Sequence, residues 1–121
     1  MKKQCNQELM QSVLSAAYQI RQEFGPGLPE SAYEFALVGE LRKRGFQVER
    51  REVAERNMPV ALRAGVLVEN CLLLGLKCVD RITSLDSEQL SRYLRKWRFR
   101  QGLLLNFNAT LRHQGIHPVS L

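Results

Sequence analysis

The sequence predicts a small mixed α/β domain: a four-stranded sheet flanked by helices, a restriction-endonuclease-like core in the order ααβββαβ, with a short extra edge strand at the C-terminus. Three observations predict it. Apolar residues recur at spacings of three and four in two N-terminal segments and again near residue 90, which marks amphipathic helices. Val66-Leu67-Val68, Leu72-Leu73-Leu74 and the run GLLLNF at 102–107 are short apolar stretches bounded by polar or turn residues, which marks strands covered on both faces. The 121 residues suit one domain, 1–121, that buries about two thirds of its unfolded surface.

Taken in order, Leu9, Val13, Ala16, Ala17, Ile20 and Phe24 form one stripe of a helix over 6–24, stopped by Gly25-Pro26-Gly27. A second helix begins near Pro29, which is tolerated in a first turn, with Glu30 set against the helix dipole. It runs to Arg44, ends at Gly45 and buries Tyr33, Ala36 or Leu37, and Leu41. Phe46, Val48 and Val53 then alternate with polar residues as a half-exposed strand, followed by a turn near Arg56-Asn57 and a strand from about Pro59. That strand leads into a hairpin turning at Glu69, Asn70 and Cys71. Glycine interrupts both of its arms, at Gly65 and Gly75, and Lys77 closes the second; glycine inside a strand marks a bulge, a close approach or a missing side chain. After a loop at 81–86, Ser84 or Asp86 caps a helix through Trp97. This crossover makes the 102–107 strand parallel to its neighbour. The polar tail from Asn108 ends in an edge strand at about 116–119.

Composition narrows the function classes. No apolar run approaches the roughly 20 residues of a membrane span, and the start MKKQCNQELM has no apolar segment of a signal peptide, so a cytoplasmic protein is expected. Cys5, Cys71 and Cys78 are an odd set without a CxxC pair, which fits reduced thiols with two in the core rather than a disulfide framework or zinc site. His113 and His117, four apart beside a glycine and a proline, are not read as a metal pair. A net charge of +6 and a pI near 9.7 favour an anionic partner. The cations cluster at Arg42-Lys43-Arg44, at Arg50-Arg51, and at Arg92, Arg95, Lys96, Arg98 and Arg100, where Tyr93, Trp97 and Phe99 lie between them. Arginines among aromatics suit phosphate contact with base stacking, which makes Arg92, Arg95, Lys96 and Arg98 the candidate nucleic-acid-binding residues. The competing reading is a solvated helix face whose aromatics point inward, because Leu90, Tyr93, Leu94 and Trp97 follow helical spacing.

Residues 27–33 spell GxxExxY at a helix start. With FGPGLPESAYEFAL, ELRKRGFQVERR, RAGVLVE, GLKCVD, SEQLSRYL and GLLLNF in that order, the chain resembles the GxxExxY proteins, a branch of the PD-(D/E)XK nuclease-like superfamily, over nearly its whole length. The resemblance implies metal-dependent phosphodiester cleavage by an aspartate on the second strand and a glutamate two residues before a lysine on the third. The carboxylates hold Mg²⁺, which activates water, and the lysine assists the nucleophile. Here the aspartate position falls on Gly65 and the glutamate position on Gly75. What survives is Glu30, Lys77, and Gln89 with Tyr93 in a QxxxY pattern.

Glu30, Lys77 and Gln89 are therefore expected to be a remnant catalytic site, with Glu30 as counter-ion to Lys77, no metal ligands and no cofactor. The expected protein is a degenerate nuclease fold that binds nucleic acid or protein. The alternative is a Mg²⁺-dependent nuclease with a relocated carboxylate. Glu69 is a poor candidate for it, about 13 Å along the strand from Gly65, and Asp80 has the wrong parity. A third reading is an interaction module that forms homodimers through a sheet edge or the basic helix.

Overall fold

The first helix starts where the sequence supplies an acceptor for an orphan N–H. The Asn6 side chain accepts from the Leu9 N–H at 2.8 Å, and α1 runs Gln7–Phe24. In this computed structural model, which describes residues 5–52, 64–109 and 115–121, α1 gives way to a tight turn in which Gly25 and Gly27 have φ of 68° and 95°. A side chain is strained in that region, so the two glycines allow the chain to reverse into α2, Glu30–Lys43.

The strands are β1 (Val48–Glu52), β2 (Ala64–Val68), β3 (Leu72–Lys77), β4 (Gln101–Asn106) and β5 (Ile116–Ser120), with α3 (Ser84–Trp97) between β3 and β4. They form one sheet in the order β1-β2-β3-β4-β5. β3 and β4 are parallel and the other pairs antiparallel, as a single helical crossover requires. The sheet thus has five strands, the fifth being the edge strand expected near 116–119. The architecture matches the restriction-endonuclease-like core. Val53, the turn near Arg56-Asn57 and the strand start at Pro59 lie outside the described residues, as does His113.

Period-two alternation sorts the strand residues between two layers. Val66, Val68, Leu72, Leu74, Leu76, Leu103 and Leu105 pack against α1 and α2 through Val13, Ile20, Tyr33, Leu37 and Leu41. Leu67, Leu73 and Leu104 pack against α3 through Leu90, Tyr93 and Leu94, with Phe99. Gly65, Gly75 and Lys77 share the parity of Leu67 and Leu73, so they belong to the α3 layer. The hairpin between β2 and β3 turns through Glu69 and Asn70, both at positive φ.

Both sheet edges are blunted. Leu121 N–H donates to the Arg100 carbonyl and Asn106 N–H to the Gly115 carbonyl, which leaves Ile116, Pro118 and Ser120 as the outward-facing positions of β5. Pro118 has no N–H to offer there. At the other edge, the Val48 carbonyl already accepts from Arg42 Nη2 at 2.9 Å.

Candidate functional site

The GxxExxY segment owes much of its pattern to structure. Tyr33 is fully buried, stacks on Phe107 with ring centroids 4.7 Å apart, and donates its hydroxyl hydrogen to the Gly25 carbonyl. The same hydroxyl oxygen accepts from Leu28 N–H at 3.2 Å, so one side chain ties the turn to the end of β4. Glu30 is exposed at the first position of α2. It lies close enough to Cys78 to add to the effect of burial, and both push that thiol above its ordinary pKa.

Lys77 ends β3 almost fully buried, and a buried ammonium requires a counter-charge. Beside the Glu30 expected from the sequence, Asp86 supplies one, with Oδ1 3.2 Å from Lys77 Nζ. The crossover explains this, because α3 runs back over β4 and β5, the strands beside β3, and its first turn brings Asp86 within reach of the last residue of β3. Asp86 is also the acid of a capping box, its Oδ2 accepting from Thr83 N–H at 2.9 Å and from the Thr83 hydroxyl at 3.3 Å. Burial pushes its carboxyl up, but the Thr83 N–H and the Lys77 ammonium outweigh this and hold it below the usual aspartate value. Helix α3 is capped by Thr83, one residue ahead of the expected Ser84. The pattern Thr-x-x-Asp was a readable signal for the cap, whereas the ion pair follows only from tertiary geometry.

One turn further along α3, on the same inward side, Gln89 is 2% exposed, and neither its amide nitrogen nor its oxygen has a hydrogen-bond partner among the described residues. Two stranded polar atoms are expensive. Gln89→Met, nearly the same shape without the amide, is expected to raise stability by about 1–3 kcal/mol and the melting temperature by several degrees. An unchanged or lower melting temperature would mean that the amide is satisfied in solution.

The register of β2 and β3 pairs Val66 with Leu74, the residues next to Gly65 and Gly75. Gly65 faces a filled space. A Cβ added there would lie 2.7 Å from Leu73 Cδ1 and 3.6 Å from Trp97 Cζ3. Arg51, the β1 partner of Gly65, lays its guanidinium over Trp97 at 5.2 Å and Phe99 at 5.5 Å. Hydrocarbon and a cation thus stand beside Gly65, the position onto which the resemblance places the lost aspartate.

A model of the PD-(D/E)XK nuclease superfamily matches residues 7–119. The chain belongs to this superfamily. No curated protein and no solved structure matches it. In this PD-(D/E)XK domain the polar groups brought together on the α3 layer, among the described residues, include the Lys77 ammonium, the Asp86 carboxylate already committed to it and to Thr83, and the Gln89 amide. They do not fit Mg²⁺, which relies on free carboxylate oxygens. Among the described residues, no group of three or more His, Cys, Asp and Glu is placed to hold a metal.

The candidate nucleic-acid residues lie elsewhere in the PD-(D/E)XK domain. Arg92, Arg95 and Lys96 are exposed on α3 and Arg98 just beyond it, while Tyr93 and Phe99 are buried and Trp97 half-buried. Tyr93 and Trp97 stack on each other, centroids 5.2 Å apart. The aromatics serve the core and the cations face solvent. Asn106 was not singled out in the sequence; it is buried at the end of β4, donating to the Val79 carbonyl at 2.8 Å and accepting from Val79 N–H at 3.1 Å. It thereby ties down the loop that leads from Lys77 to α3.

Proposed function

We propose that this is a catalytically silent PD-(D/E)XK domain of the GxxExxY type, cytoplasmic, which binds a nucleic acid without cutting it. The observation that carries the reading is the packing at Gly65, where the Leu73 side chain stands too close for a Cβ and Trp97 lies in contact distance beside it. The Lys77–Asp86 pair supports it, because a lysine held by a capping carboxylate has become part of the α3 joint. Remnant residues Glu30, Lys77 and Gln89 then have structural roles, and no metal cofactor is required.

The test is incubation of the purified protein with DNA and RNA in Mg²⁺ or Mn²⁺. No cleavage above a protein-free control is expected. Metal-dependent cleavage that disappears in Lys77→Ala would overturn the reading. It would favour a second one, in which Asp86 is the relocated carboxylate of a working nuclease, a role that its position 3.2 Å from Lys77 makes specific.

A further inference from the structure

The charge of the protein is segregated along the chain. Residues 1–88 carry twelve lysines and arginines against twelve aspartates and glutamates, so they are formally neutral. Residues 89–121 carry six lysines and arginines and no acid, and the whole net charge of +6 arises there. In the fold, that stretch supplies most of α3, then β4 and β5. β4 is interior to the sheet, and among the described residues the cations of this stretch collect on the outside of α3 and just past its end.

A groove of about 600 Å³ runs along this outer side, lined by Ser84, Ser87, Glu88, Ser91, Arg92 and Arg95. The hydroxyls of Ser84, Ser87 and Ser91 line its first part and the Arg92 and Arg95 guanidinium groups its second, with the Glu88 carboxylate among them; the hydroxyls and guanidinium groups are donors that suit phosphate oxygens. Arg92, Arg95 and Arg98 have no carboxylate partner among the described residues. The groove faces away from the sheet, whereas Asp86, Gln89 and Tyr93 point from the same helix toward β3 and β4.

We infer that the outer face of α3 is a docking surface for the phosphodiester backbone of a duplex nucleic acid, separate from the remnant pocket on the helix's inner side. This rests on the binding role proposed above and gives it a place and a chemistry. A duplex fits better than a single strand because Tyr93 and Phe99 are buried, so no aromatic platform is offered to unstacked bases. A backbone held there runs with the body of α3 between it and Lys77. The bound strand is therefore retained, and its phosphates are kept from the one place where the superfamily's chemistry would act.

The experiment measures the affinity of a short duplex DNA between 50 and 200 mM salt for the parent, for Arg92→Gln/Arg95→Gln, and for Arg42→Gln/Lys43→Gln. The last pair removes the same charge from the neutral part of the chain. Each lost phosphate contact flattens the salt slope by about 0.9, so the groove variant should lose about 1.8 of slope, equivalent to about a 12-fold smaller loss of affinity across that salt range. The Arg42/Lys43 variant should keep the parent slope, and Arg92→Lys/Arg95→Lys should restore most of it. Circular dichroism confirms that each variant is folded. Equal effects of the two neutralised pairs would show a global charge effect and overturn the assignment, as would preferential binding of single strands or of polyphosphate over duplex. Cleavage of the bound duplex would end the proposed silence while leaving this surface intact, so the two failures are distinguishable.

Discussion

Asp86→Ala is expected to be the most damaging single change in the molecule, lowering stability by about 3–5 kcal/mol and the melting temperature by roughly 10–20 °C. The side chains of Lys77 and Asp86 are only 6% and 11% exposed, so removing the acid deprives a buried ammonium of the Asp86 carboxylate. The same change deletes the acceptor that Thr83 uses at the start of α3, itself worth about 1 kcal/mol. Replacing both partners tests the cause. Lys77→Met/Asp86→Leu removes two charges together and should recover most of the loss, leaving a deficit near that of the missing cap. Strictly additive single and double effects would mean that the two groups do not interact.

The pair also contributes to the acid sensitivity of the fold. The Asp86 carboxyl has its folded pKa below the ordinary 3.8, so the folded state binds fewer protons than the unfolded one in that region. Its contribution is complete above that ordinary value and is lost as pH falls through the folded pKa. The stability difference between the parent and Asp86→Asn should accordingly be constant near neutrality and shrink below about pH 4.

Gly65→Asp is expected to cost about 3 kcal/mol, although replacing a strand glycine ordinarily stabilises by about 0.5–1 kcal/mol. The sign reverses because the new Cβ meets the Leu73 terminal methyl at 2.7 Å and Leu73 has no exposed surface into which to move. The carboxylate would then lie against Trp97 and be drawn to Arg51 on the adjacent strand. For the same reason, Gly65→Asp/Gly75→Glu, which restores both acids on paper, should show no rise in melting temperature with Mn²⁺. Adding Leu73→Ala opens the space. If the triple variant folds and binds, its stability should increase by about 2.7 kcal/mol at a hundredfold excess of metal over Kd. A metal response in the double variant, or in the parent, would show that the packing around Gly65 yields more easily than its geometry indicates.

How much of this could be read from the sequence depends on the range of the interaction. The helices, the hairpin turn and the parallel β4 are legible because periodicity, turn residues and crossover handedness are local or topological rules. Gly65 and Gly75 are legible as missing side chains, yet what fills the space at Gly65 is not, since Leu73, Trp97 and Arg51 come from three different elements. Asp86 is visible as a cap but not as the partner of Lys77, which sits at the far end of a loop and is met only once α3 folds back onto the sheet. For the basic segment, helical spacing of Tyr93 and Trp97 outweighs the arginine–aromatic pattern, because burying the rings is worth more than presenting them to solvent. The cations are then left as a surface of charge alone.

The missing proton at Pro118 has a consequence for growth of the sheet. A strand arriving at β5 would find its middle hydrogen bond unavailable, and one arriving at β1 would compete with the Arg42 guanidinium for the Val48 carbonyl. The sheet has an end on both sides. Molecules crowded along a polyanion can therefore lie side by side without zipping their sheets together, and local enrichment need not become a fibre.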